Sequence, residues 1–253
     1  MKHQKRIFAV SDIHGHYTIL KAALDETGFN SEDDKHLLVV CGDLFDRGRE
    51  NRKVYDFVRK LKNKVLVCGN HDERLLHIIQ DKRINLCDIH NGTEVTVEEF
   101  FGAGIIGAWG ELTFPKHGRM AGNLRRLIGT MADYYETEHY IFVHGWVPTT
   151  KNERGEPELL ADWRNANKAK WSEARFLGWN SLYGVNDMIP EKTIVCGHRP
   201  TRLAYTFDPS RELTDSGIYY GENMIAIDAG TIRSGRVNVL VIEDNILPRE
   251  DFI

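Results

Sequence analysis

Groups that can bind a cation or move a proton recur at five places in this chain, each directly after a short apolar run. They are Asp12-Ile13-His14, Gly42-Asp43-Leu44-Phe45-Asp46-Arg47-Gly48, Gly69-Asn70-His71-Asp72, His144-Gly145 and Gly197-His198. Asp12, Asp43, Asn70, His14, His144 and His198 form a set of oxygen and imidazole donors without a thiolate. Such a set suits manganese, iron, zinc or cobalt better than a soft-metal ion. Six donors exceed what one four-coordinate ion needs, and two ions sharing a carboxylate would use them all. Asp43, central in chain order, is the expected bridge. Asp12 and His14, two apart in extended chain, can hold one ion. Asn70, His144 and His198 can hold the other. Gly42, Gly69, Gly145 and Gly197 are expected to let the backbone turn tightly beside a bound group.

The elements that must position these groups are legible as apolar runs: residues 6–11, 37–41, 65–68, 140–143, 193–196, 224–227 and 237–242. The first six are nearly continuous, as in strands covered on both faces. The last alternates and suits a sheet edge. Helical periodicity lies between the early runs, over 17–26, 51–61 and 72–80. Strand and helix thus alternate as in an α/β core, where ligands collect at the carboxyl ends of the strands. Residues 88–137 break the rhythm and read as a mostly helical insertion after the third strand, with a helix over 123–135. Residues 151–190, with Trp163, Trp171 and Trp179, are a second irregular stretch.

Composition sets the outer bounds. The 253 residues carry 33 Lys+Arg and 37 Asp+Glu, a formal net charge of −4, with 42% hydrophobic and 28% charged residues. This is ordinary for a globular protein and argues against disorder or a nucleic-acid-coating role. One domain spanning 1–253 is expected. The four cysteines form no CxxC pair, and Cys41, Cys68 and Cys196 each precede a glycine. Reduced thiols, no segment reading as a signal sequence and no apolar stretch of membrane-spanning length lead us to expect a cytoplasmic protein with no membrane partner.

Taken together and in order, the five motifs resemble those of the calcineurin-like metallophosphoesterases. The Gly-Asp-x-x-Asp-Arg-Gly form at 42–48 is similar to that of the phosphoprotein phosphatase branch, which includes bacterial Ser/Thr phosphatases and symmetrical diadenosine tetraphosphatases. Ile227-Asp228-Ala229-Gly230 is similar to a later family segment, with Ala in place of Thr. Asp72 stands where the family usually has Glu. The resemblance implies a β-sandwich flanked by helices, with two divalent ions, manganese foremost, at its edge.

It also implies roles. A water activated by the ions attacks phosphorus. Arg47 binds phosphoryl oxygens, and His71, oriented by Asp46, protonates the leaving oxygen. A second phosphate-binding arginine is expected from a later loop: Arg175, with Arg164 as its rival. His16 and His117 are left outside the site. The expected partner is a phosphorylated protein or a nucleotide. The leading expectation is a Ser/Thr phosphoprotein phosphatase, and the alternative is a symmetrical dinucleoside tetraphosphate hydrolase. In the alternative, Arg119, Arg125 and Arg126 could meet a phosphate chain, although an exposed helix face is the simpler reading. A module that binds phosphate without catalysis is disfavoured, because every ligand and the acid are present.

Overall fold

The structure is a computed structural model, which describes residues 5–115, 118–179, 192–206 and 208–243. His117 and the end of the 151–190 stretch lie outside the described residues.

The strands are β1 (Arg6–Val10), β2 (His36–Cys41), β3 (Lys64–Val67), β4 (Tyr135–Glu136), β5 (Tyr140–Phe142), β6 (Thr149–Lys151), β7 (Pro157–Leu159), β8 (Thr193–Cys196), β9 (Tyr219–Tyr220), β10 (Met224–Ala226) and β11 (Leu240–Glu243). The α-helices are α1 (Tyr17–Glu26), α2 (Asn51–Lys60), α3 (Asn70–Asp81), α4 (Leu86–His90), α5 (Thr93–Phe101), α6 (Met120–Gly129), α7 (Lys168–Phe176) and α8 (Thr231–Ser234).

The strands form two main sheets rather than one. The first runs in the order β11-β1-β2-β3, and the second β4-β5-β8-β10-β9. Pairs β1–β2, β2–β3, β5–β8 and β8–β10 are parallel, while β11, β4 and β9 add antiparallel edges. Alternation along the strands assigns the layers. Phe8, Val10, Leu38 and Val40 face α1, α2 and α3 through Leu20, Leu24, Val54, Val58, Leu75 and Ile78. Their neighbours Ile7, Ala9, Val39 and Cys41 meet Tyr140, Phe142, Val195 and Ile225 of the second sheet. The far face of that sheet, with Ile141, Ile194 and Cys196, packs on Trp163 and Trp171. The result is a β-sandwich between helical layers. Both faces of the central strands are apolar, which is why their period of two is hidden in the sequence. Each fully buried Leu or Phe contributes about 1.5–3 kcal/mol.

Three expectations are corrected. The helix of the insertion ends at Gly129, and Tyr135 belongs to β4, paired with Phe142. The last strand does lie at an edge but starts at Leu240, not Val237. The third early helix starts at Asn70, so the Asn70-His71 pair forms its first turn instead of a preceding loop.

Candidate active site

The ends of β1, β2 and β3 in one sheet, and of β5 and β8 in the other, deliver the five motifs to one rim of the sandwich. Their backbone is bent hard there. Among the described residues, seven non-glycine residues have positive φ, from +48° to +76°. Six of them are Asp12, His14, Asp43, Asp46, Arg47 and His198. Asp and His tolerate this region better than most residues, yet each instance costs on the order of 1 kcal/mol. The strain is therefore concentrated where side chains must be aimed. The glycines act differently from expectation. Only Gly42 of the four has a positive φ (+82°); at Gly69 and Gly197 a Cβ would collide with Asp43 and Asp12. They permit close approach rather than a left-handed turn.

Asp43 lies at the centre. Its Oδ2 is 3.6 Å from His14 Nε2 and its Oδ1 is 3.5 Å from His144 Nε2. Two groups of metal-ligating atoms, each within 4.8 Å of one another, share it: His14, Asp43 and His71, and Asp43, His144 and His198. Asp12 Oδ1 lies 3.9 Å from His14 Nε2, and Asn70 Oδ1 lies 2.9 Å from His144 Nε2. The first group thus contains His71, which the sequence reading assigned to proton transfer and not to a metal.

The donor chemistry fits cations. His14 Nδ1 donates to the Phe45 carbonyl at 2.9 Å, and His144 Nδ1 to the Cys41 carbonyl at 2.8 Å. Both rings thereby turn an acceptor Nε2 inward, the arrangement that metal-ligating imidazoles use. At His144 that acceptor faces the Asn70 carbonyl oxygen and Asp43 Oδ1, with no donor between them. A shared cation resolves this opposition of lone pairs. Burial holds His14 and His198 neutral, with pKa values lowered to about 3. Burial pulls His71 the same way, but the charge of Asp43 and the hydrogen bond from Nδ1 to Asp46 Oδ2 (2.7 Å) outweigh it, and its pKa rises to about 9. Asp43, although buried, is held below the usual carboxylate range by the charge of His71 and by the His71 backbone N–H, which its Oδ1 accepts at 3.0 Å.

Around these groups stand residues to which the sequence reading gave no role. Asp72 is fully buried; its carboxylate accepts the N–H groups of Asp43 (2.9 Å), Leu44 (3.1 Å) and Gly69 (3.0 Å) and so ties the second and third motifs together. Burial pushes its pKa up to about 7. Asp46 accepts hydroxyl protons from Thr93 and Thr96, both at 2.8 Å. The insertion therefore fixes the residue that orients His71. One signal was available: Thr93 and Thr96 fall on the same helical stripe as Val97 and Phe100, two polar residues on a buried face. Asp12 Oδ2 accepts from Ser11 Oγ and the His198 N–H, and its carbonyl from Thr231.

The arginines divide sharply. Arg47 reaches into the site, with NH1 donating to His14 Nε2 at 2.9 Å and NH2 3.2 Å from His71 Nε2. Arg175, expected at the phosphate, is placed elsewhere. It is only 7% exposed, and its guanidinium donates to Glu73 Oε1 (2.8 Å), the Cys68 carbonyl (3.1 Å) and Asp133. Arg164 stacks on Trp163 at 4.4 Å and chelates Glu136. Arg119, Arg125 and Arg126 are exposed, and Arg126 lines a separate groove with Arg52, Arg59 and Lys64.

A pocket of about 450 Å³ covers the site. Besides Asp12, His14, Asp43, Arg47, Asn70, His71 and His198, its wall contains Arg199, Arg202 and Arg233 with Phe176 and Ile232. None of these five was singled out in the sequence.

Comparison with known proteins agrees with this geometry. A segment of 72 residues, 28% of this chain, is 46% identical to the symmetrical bis(5'-nucleosyl)-tetraphosphatase of Erwinia tasmaniensis. The chain thus spans about a quarter (26%) of the length of that curated relative. Among solved structures, a candidate diadenosine tetraphosphatase superposes with a TM-score of 0.57 at 16% identity, covering 95% of this chain and 90% of that one. A protein serine/threonine phosphatase from Saccharomyces cerevisiae gives 0.56 at 12% identity, covering 98% and 82%. At these identities the structural likeness establishes the fold. The profile of the calcineurin-like phosphoesterases matches residues 5–227, and the chain belongs to the calcineurin-like phosphoesterases.

Proposed function

We propose that the protein is a metal-dependent phosphoester hydrolase that uses two divalent ions and acts on a dinucleoside tetraphosphate. The observation that carries the two-ion reading is Asp43, whose two carboxylate oxygens face two different sets of imidazoles. Asp12, His14 and Asp43 would hold one ion, and Asp43, Asn70, His144 and His198 the other. When bound, such ions supply charge that stabilises the phosphoryl group and a more acidic water as nucleophile.

The chain's own groups do the rest. Arg47, a planar fork with five donors, is suited to grip two phosphoryl oxygens. His71 turns Nε2 to the pocket while Nδ1 is fixed by Asp46, so a proton on Nε2 can pass to the departing oxygen. Water adds to phosphorus as the bond to the leaving oxygen breaks. Symmetrical cleavage of a dinucleoside tetraphosphate gives two nucleoside diphosphates.

The sequence reading ranked a Ser/Thr phosphoprotein phosphatase first. The tetraphosphatase name of the curated relative favours the opposite order, because the likeness to the yeast phosphatase extends to fold alone. The test is phosphate-ester turnover by manganese-loaded protein, offered diadenosine tetraphosphate or a phosphothreonine peptide at equal concentration. Preference for the dinucleotide, with nucleoside diphosphate as the product, is expected. Preference for the peptide would restore the protein phosphatase reading. Turnover of neither would refute both.

A further inference from the structure

The pocket holds more positive charge than one phosphoryl group requires. Arg47, together with two ions in place, would suffice for the three equatorial oxygens of a transferring phosphoryl group. Three further guanidinium groups line the same pocket: Arg199 and Arg202 after β8, and Arg233 in α8. Among the described residues none of the three is in an ion pair, whereas Arg175 and Arg164 are. Arg199 goes further, since its Nε is buried without any hydrogen-bond partner. A buried donor left unsatisfied is destabilising, and a ligand acceptor would remove that cost. The carboxylates in the pocket wall do not neutralise the arginines. Asp12 and Asp43 face the imidazoles, and Asp228 accepts the Gly230 N–H at 2.7 Å.

The rim of the same pocket is apolar. Phe176 is 55% exposed and Ile232 is 53% exposed, both large side chains left in water at its wall. The Phe176 ring sits 6.2 Å from that of His198, so a flat group resting on it lies within reach of the metal-suited residues. Every base has a π-face that can stack on an aromatic ring.

We infer that Arg199, Arg202 and Arg233 form a subsite for the phosphates beyond the one being cleaved, and that Phe176 carries the adjoining base. These residues would select a nucleoside polyphosphate over a simple monoester. The inference rests on the hydrolase reading above and adds to it the residues that choose the substrate. It moves the chain-binding arginines from the helix at 120–129, where Arg125 and Arg126 are exposed, to the C-terminal wall of the pocket.

The test pairs a kinetic ratio with a binding measurement. The Arg202→Ala/Arg233→Ala double variant of the metal-loaded protein is expected to lose at least tenfold more kcat/KM on diadenosine tetraphosphate than on p-nitrophenyl phosphate, mainly through KM. Calorimetry with inorganic tripolyphosphate should show affinity falling at least tenfold in the same variant, independently of turnover. Phe176→Ala should weaken the dinucleotide and leave tripolyphosphate binding near wild type. The exposed single change Arg233→Glu repeats the test without Arg202. Equal losses on both esters, or no loss on either, would overturn the subsite. Tripolyphosphate binding that depends on these arginines, without dinucleotide turnover by the wild type, would sink the functional reading and leave the subsite standing. Normal dinucleotide turnover by the double variant would do the reverse.

Discussion

The two sheets serve one site in different ways. The first delivers Asp12, His14, Asp43, Asp46 and Arg47 from the turns between a strand and the helix that follows it, and Asn70 and His71 from the first turn of α3. The second delivers only His144 and His198, and between β5 and β8 it inserts β6, β7 and α7. The first half holds Asp43, His71 and Arg47 on backbone N–H groups and buried carboxylates. The second half closes the ligand set and adds the pocket wall of Phe176, Arg199, Arg202 and Arg233. The difference teaches that the metal-suited groups are carried mainly by tight parallel strand–turn–helix units, while in the proposed reading discrimination among substrates would fall to longer connections that can vary without disturbing them.

Arg175 joins the two halves. It sits on α7 of the second and binds Glu73 and the Cys68 carbonyl of the first. A buried guanidinium with three partners is a clamp between layers, not a free phosphate ligand.

Four changes would break or sharpen this division. The largest effect is expected from Asp43→Asn, because one carboxylate serves both groups of ligands. It should reduce hydrolysis to background and lower bound metal as measured by elemental analysis; full activity with two ions retained would remove Asp43 from the bridging position. His71→Asn should keep the metal content and lower kcat by about 100- to 10,000-fold on an alkyl phosphate. The loss should be smaller on a tetraphosphate, whose diphosphate leaving group needs less help from an acid. Equal losses on both would argue that His71 acts as a ligand, as its place in the first group permits.

Arg175→Met should act on stability instead of catalysis. Removing one partner from a buried ion-pair cluster costs about 3 kcal/mol or more, visible as a lower urea midpoint. A raised KM with an unchanged midpoint would return Arg175 to the phosphate site. The smallest effect concerns Glu136, which links the edge of the second sheet to Arg164 and Lys192. Hydrogen bonds from Arg164 and then Lys192, against a smaller opposing effect of burial, hold its pKa at about 2 instead of 4.5. A depressed folded-state value stabilises above the unfolded pKa and stops doing so as pH falls through the folded one. Wild type should therefore exceed Glu136→Gln in stability at pH about 6, and the gap should close as pH falls towards about 2. A gap independent of pH would show that the ion pair contributes nothing. At a partly exposed site it should not exceed about 1 kcal/mol.

Much of this molecule was legible in its residues. The bounds of α1 and the positions of the central strands followed from apolar periodicity, because burial selects side chains by face whatever the fold. The motif residues that do gather at the rim, Asp12, His14, Asp43, Asn70, His71, His144 and His198, were visible because cation binding tolerates few residue types and each stands directly after a strand. The division of those strands into two sheets was not visible in the runs themselves. Central strands of either arrangement are apolar on both faces, and the resemblance to a known family had to supply the sandwich.

The sequence by itself determined which groups are available for chemistry and that strand ends would present them. Tertiary structure alone decided which arginines are held in ion pairs and which line the pocket. A guanidinium has the same charge and reach in a clamp as in a pocket, and its surroundings assign its part. Glu73 and Asp133 occupy Arg175, and Glu136 occupies Arg164, whereas Arg199, Arg202 and Arg233 have no such partner among the described residues. The same holds for Asp72, Thr93 and Thr96, polar residues whose partners lie tens of positions away and meet them only when the layers close.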